Sequence, residues 1–244
     1  MLRPVRTGGA MLIRVGEERT EAIDISLAGV LSFVAGGLNA VGFIIVGSFT
    51  ANMTGNVSAM ADEIATGHPG VGLLLAVYVS AFIAGAMVAA LMIAAGEKRG
   101  VRSIYALGIG VEGIIVAALG AALLAFGQTP LQLATILLLS FVMGLQNAVT
   151  TMISKAKVRS THVSGMATDI GIELAALLGD AQARKAALPK LRLHSVTLAA
   201  FTLGGIVCAV LFTAIGMWVF WVAAFGLMMV SGTELYRACR LNRP

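Results

Sequence analysis

Glu112 is the residue in this chain whose type and placement carry the most chemistry. It lies in Gly108-Ile109-Gly110-Val111-Glu112-Gly113-Ile114, ten residues beyond Arg102. At ~1.5 Å per helical residue that is ~15 Å in, near the middle of a bilayer. No Lys, Arg or His shares its apolar run. An ionised carboxylate there is costly, so Glu112 is either protonated or facing a polar cavity. Two readings stand open: a functional one, as a proton- or cation-linked carboxylate or a substrate contact, and a neutral acid hydrogen-bonded to a neighbouring helix.

Asn39, Gln146 and Asn147 are amides inside apolar runs. A buried amide needs partners, because leaving it unpaired in hydrocarbon costs several kcal/mol. Asn39 and Asn147 either hydrogen-bond to each other as structural glue or line a pathway. Asn52, Thr54, Gly55 and Asn56 have the composition of a broken helix end, since Gly and Asn tolerate left-handed backbone and Asn or Thr caps the helix that follows. The free N–H groups of such an end suit an anion or carboxylate, the alternative being an ordinary capped turn. His162 is either a titrating group near one membrane face or a surface histidine, and His68 and His194 are expected to be ordinary loop residues. His162 and Ser164 do not make a nucleophile–base pair: two residues apart they share no helix face, and no acid orients the histidine. No metal-ligand set of the His-Glu-x-x-His kind occurs. The chain is read as a non-enzyme that needs no cofactor.

The elements that position these residues come in two copies. Leu31-Ser32-Phe33-Val34-Ala35-Gly36-Gly37-Leu38-Asn39-Ala40-Val41 returns 108 residues later as Leu139-Ser140-Phe141-Val142-Met143-Gly144-Leu145-Gln146-Asn147-Ala148-Val149, with eight of eleven positions identical. The polar sequel Phe49-to-Asn56 returns loosely as Ser160-Thr161-His162-Val163-Ser164-Gly165. An internal duplication accounts for both. Small residues also recur at four-residue spacing (Ser32/Gly36/Ala40, Ser140/Gly144/Ala148, Ala81/Gly85/Ala89). In lipid such stripes let backbones approach closely. They are read as packing faces within the chain, a homodimer contact being the lesser alternative.

With 58% hydrophobic and 12% charged residues and a mean hydropathy of +0.92, the chain is far more apolar than a soluble domain, where about a quarter of residues are charged. Six apolar spans are expected: about 25–45, 71–95, 104–126, 131–153, 196–215 and 217–236. The fold class is therefore all-α, a six-span membrane protein whose principal partner is the lipid bilayer. Its net charge of +5 points to basic loops facing anionic lipid, not to nucleic acid. All seventeen basic residues fall in the N-terminal tail, after spans two and four, and in the C-terminal tail, and none falls in the alternate connections. That asymmetry puts both termini in the cytoplasm. Cys208 and Cys239 are read as packing residues, with no disulfide expected.

Three spans per copy is an odd number, so the second copy enters the membrane inverted. The expected organisation is a cytoplasmic tail 1–24 (Met11 being an alternative start), a first three-helix repeat 25–127, a second 128–236 with a basic loop 155–195, and a tail 237–244. Thr54 to Asn56 then lie near the outer face and His162 to Gly165 near the inner one. Short amphipathic helices are expected at 57–66 and 166–178, and Asp180–His194 reads as a basic loop insertion broken at Pro189.

The combination Gly37-Leu38-Asn39-Ala40-Val41-Gly42-Phe43, Phe49-Thr50-Ala51-Asn52-Met53-Thr54-Gly55-Asn56, Gly144-Leu145-Gln146-Asn147-Ala148 and Thr161-His162-Val163-Ser164-Gly165 resembles the YoaK-like bacterial membrane proteins, a family of unassigned function. The resemblance covers about residues 25–236. It implies a bacterial inner-membrane protein and names no substrate. Inverted 3+3 repeats are a transporter device, so the leading expectation is a small secondary transporter for an unidentified small solute, driven by a proton or ion gradient, because no nucleotide-binding loop is present. The alternative is a non-transporting membrane component: an assembly factor, a sensor or a channel-like oligomer.

Overall fold

Every apolar run long enough to cross a bilayer becomes a helix, because backbone polar groups in hydrocarbon must be satisfied within their own segment. The computed structural model describes residues 10–241. It contains α1 (Glu21–Val46), α2 (Met53–Ala65), α3 (Pro69–Lys98), α4 (Ile104–Phe126), α5 (Gln132–Ile153), α6 (Val163–Ala176), α7 (Ala181–Ile215) and α8 (Trp218–Leu241), with no strand among the described residues. All but α2 and α6 are long and apolar enough to span a membrane. Their outward faces are apolar: Ile83, Leu91, Val210 and Phe225 are each at least 60% exposed. A water-soluble surface does not carry apolar area on this scale, so the protein is an integral membrane protein. The Met1 start and the outer parts of both expected tails lie outside the described residues.

The principal helix pairs are α1 with α7, α3 with α5, and α4 with α8. Two of these pairs close on glycine. A Cβ at Gly36 would run into the backbone carbonyl of Phe201, and one at Gly204 into that of Phe33. The α3–α5 pair repeats the arrangement, Gly85 lying under the Phe141 carbonyl and Gly144 under that of Phe82. Only glycine lets two helix backbones meet so closely, and the gain is van der Waals and Cα–H···O contact. Exchanging α1 for α5 and α3 for α7 turns one pair into the other. The short helices follow the same exchange, α2 packing on α3 and α6 on α7.

Spans two, three and four fall within three residues of the expected bounds. Span five does not. Asp180–His194 is no loop: α7 starts at Ala181, with the Asp180 carboxylate accepting from the Ala183 N–H at 2.7 Å, and runs straight through Pro189. Proline removes one backbone donor and crowds the preceding turn, but packing of Ala187 and Leu193 into the protein holds the helix together. His194 is accordingly no loop residue; its Nδ1 lies 3.0 Å from the Glu173 carboxylate of α6.

Residues 10–20 are tied to the bundle. The Leu12 N–H donates to Glu234 Oε2 of α8 at 3.0 Å, and Lys155 meets Glu17 at 3.3 Å. Arg19, buried with Asp24, donates to that carboxylate at 2.5 Å and to the carbonyls of Met11 and Arg14. These contacts gather the N-terminal segment, the α5–α6 link and the end of α8 at one end of the bundle.

Candidate functional site

Both links that follow the duplicated motif fold back into the bundle. After α1, Gly47 takes a left-handed φ of 76° and donates its N–H to the Phe43 carbonyl at 2.7 Å. The chain then returns alongside the helix it has just left. Phe49 stacks on Phe43 with ring centroids 4.4 Å apart, and the Ala51 N–H donates to Asn39 Oδ1 at 2.9 Å. Asn39 lies seven residues before the end of α1, so α2 begins roughly 10 Å back from that end. Asn52 caps it, Oδ1 accepting from the Gly55 N–H at 3.0 Å, while Asn56 Nδ2 donates to the Phe49 carbonyl.

The link after α5 turns by different means. Lys155 and Ala156 take left-handed φ values of 51° and 64°, and Ala156 donates back to the Thr151 carbonyl, closing the helix end. The Ser154 hydroxyl accepts from the Val158 N–H at 2.9 Å. His162 occupies the N-cap position of α6 without making a side-chain cap bond. Its ring lies over Gly165, as Asn52 lies over Gly55, and a Cβ on either glycine would collide with the residue folded above it.

The two helix starts face one cavity of about 440 Å³. Asn39 and Asn147 line it from α1 and α5, Asn52 and Thr54 from the head of α2, and His162 and Ser164 from the head of α6. Phe82 and Phe201, whose carbonyls cover Gly144 and Gly36, line it as well. Thr54 and Ser164 are thus not at opposite membrane faces, as the duplicated motif suggested. Both breaks reach the same cavity, because the links return along their helices instead of ending at the surface. Phe82 and Phe201 were not anticipated. Their signal was the match of Ala81-Phe82-x-x-Gly85 to Ala200-Phe201-x-x-Gly204.

The remaining polar residues separate from this group. Asn39 and Asn147 are not bonded to each other: the Asn39 oxygen serves Ala51, and the buried Asn147 oxygen has no partner among the described residues. Gln146 is buried and ties α5 to α1 by donating Nε2 to the Leu31 carbonyl at 2.7 Å. Gly55 and Asn56 serve the turn. Glu112 is 0% exposed, neither carboxyl oxygen has a hydrogen-bond partner among the described residues, and it is not among the residues lining the cavity. Gly108, one turn earlier on the same helix face, packs against Met92 of α3 and Val149 of α5, so that face meets other helices where a wet centre was expected.

A second cavity, about 500 Å³, lies between residues 13–18 and the α3–α4 connection. It holds charges of both signs, and its Glu97 is engaged by the Tyr105 hydroxyl at 2.7 Å. None of the motif residues reaches it. Among the described residues the motif cavity carries no Asp, Glu, Lys or Arg in its lining, and no group of three or more His, Cys, Asp and Glu could hold a metal. What it offers is neutral donors, one imidazole and apolar rings.

A family model described as "Protein of unknown function (DUF1275)" matches residues 27–233. The chain belongs to the DUF1275 family. No curated protein and no solved structure matches it. The matched region of this DUF1275 protein takes in both copies of the motif and every residue lining the cavity.

Proposed function

We propose that this DUF1275 protein is a small secondary transporter of the bacterial inner membrane, built from two three-helix repeats of inverted topology that rock about the cavity between them. The observation that carries this reading is that both duplicated breaks, Asn52–Thr54 and His162–Ser164, meet at one cavity. Supporting it, the glycine contacts of α1 with α7 are reproduced by those of α5 with α3. Two near-equivalent halves sharing one site have two near-equivalent ways of packing, which is what alternating access requires. The gathering of basic segments at one end supports cytoplasmic termini. A neutral polar cavity among six candidate spans favours moving a solute over assembly or signalling.

The test is accessibility. In a protein with Cys208 and Cys239 replaced by Ala, single cysteines at Thr54 and Ser164 are labelled with a membrane-impermeant thiol reagent from each side of oriented vesicles. Transport by rocking predicts that each cysteine is reached from both sides. Conditions that raise labelling from one side should lower it from the other. Labelling confined to one side under every condition overturns the reading.

A further inference from the structure

We propose that the cavity takes a small organic anion, a carboxylate on a short apolar body; this rests on the reading of the cavity as the substrate site. The decisive feature is an imbalance between donors and acceptors. Helix α6 starts without a side-chain cap, so the N–H groups of Val163, Ser164 and Gly165 have no partner among the described residues. Helix α2 adds those of Met53 and Thr54, since only Gly55 is capped by Asn52. Two helices of 13 and 14 residues therefore bring the positive ends of their dipoles to one cavity.

Asn39 supplies independent evidence. It is 93% buried, its exposure being 7%, yet it lines the cavity. Its oxygen must face the Ala51 N–H, because only an acceptor serves there. The amide nitrogen is left without a partner and is the end available to a ligand. Asn147 differs in that its buried oxygen has no partner among the described residues, so the NH2 is the end of the amide left toward the cavity. Backbone and side chains thus present donors from both repeats.

Among the described residues the lining contains no carboxylate to attract a cation. It contains no Lys or Arg either, so an anion is held by partial charges and can leave again. Phe49, Phe82 and Phe201 provide apolar wall for the rest of the molecule, and about 440 Å³ lies within the range of small-molecule sites.

The experiment compares charge at constant shape. Full-length protein in detergent is titrated with butyrate, butyramide and butylammonium, and with the acid and amide of acetate and benzoate, following thermal unfolding. The inference expects at least one carboxylate to raise the melting temperature in a saturable way, and its amide and ammonium counterparts to bind at least tenfold more weakly. Ser164→Asp places a carboxylate in the first turn of α6, where it favours the helix, and should weaken carboxylate binding at least tenfold while the protein stays folded. Asn39→Leu should weaken it as well. A response to amide or ammonium equal to that of carboxylate, no response to any carboxylate, or a carboxylate response untouched by Ser164→Asp overturns the inference. Uptake into proteoliposomes separates this claim from the transport reading. Carboxylate binding without uptake keeps the anion site and sinks transport, whereas uptake of butyramide or butylammonium in preference to butyrate does the reverse.

Discussion

Asn52 and His162 hold the same position in two different helices. Each precedes a first turn, each folds over the glycine three residues on, and each lines the same cavity. They differ in one respect: the Asn52 oxygen caps Gly55, whereas the His162 side chain makes no cap bond. Asn52→Ala should therefore destabilise the protein by about 1 kcal/mol, the usual value of an N-cap. His162→Ala should cost measurably less. Chemical denaturation in detergent compares the two, and a larger loss at position 162 would show that its ring has a structural partner.

The glycine pairs make a sharper prediction. Gly36→Ala and Gly144→Ala each drive a methyl into a backbone carbonyl that cannot swing aside. Each should cost about 1–3 kcal/mol, the range for overpacked cores, and the two losses should agree because their surroundings correspond. Gly226→Ala is the control. It lies in α8 with open space around a Cβ, and it should be neutral or gain up to about 1 kcal/mol from helix propensity. Equal behaviour of all three variants would contradict the packing.

How legible was this in the chain? Span positions were, because a run of roughly 20 apolar residues has no other use in a bilayer. Asn39, Asn147 and the breaks at Asn52 and His162 were legible as types, since a repeated amide in hydrocarbon demands a reason. Their convergence was not. In the first link it shows in the hydrogen bond from Ala51 back to Asn39, and periodicity cannot report a contact between a link and the helix before it. Pro189 misled because proline in a basic stretch normally ends a helix, and here packing overrides it. Phe82 and Phe201 escaped notice because a phenylalanine in an apolar run looks like any other until its helix partner is known.

Arg19 and Asp24 are both buried where the N-terminal segment meets α1. Removing one partner strands the other charge. Arg19→Ala should lower stability by about 3–5 kcal/mol, while the double variant Arg19→Leu with Asp24→Leu should recover much of that loss. Thermal melts of the three proteins make the check. A double variant as unstable as the single one would mean that Arg19 acts mainly through the Met11 and Arg14 carbonyls.

Glu112 tests what the buried acid is for. The buried Glu112 carboxyl has no hydrogen-bond partner among the described residues, and an unpaired buried polar group costs about 1–3 kcal/mol. Methionine has similar length and no such requirement. Glu112→Met should leave stability unchanged or raise it by that amount, whereas Glu112→Gln, which keeps polar atoms in the same place, should gain nothing. Because Glu112 does not line the cavity, the carboxylate-dependent thermal shift should survive both substitutions. Proteoliposome uptake then divides the roles that remain. If flux is unchanged in Glu112→Met, the acid is a tolerated packing residue inside the bundle. If binding persists while gradient-driven uptake is lost, Glu112 couples the movement of the two halves to the gradient from outside the binding site. A loss of stability greater than about 1 kcal/mol in Glu112→Met would contradict both outcomes, since it requires that the carboxyl group have a partner.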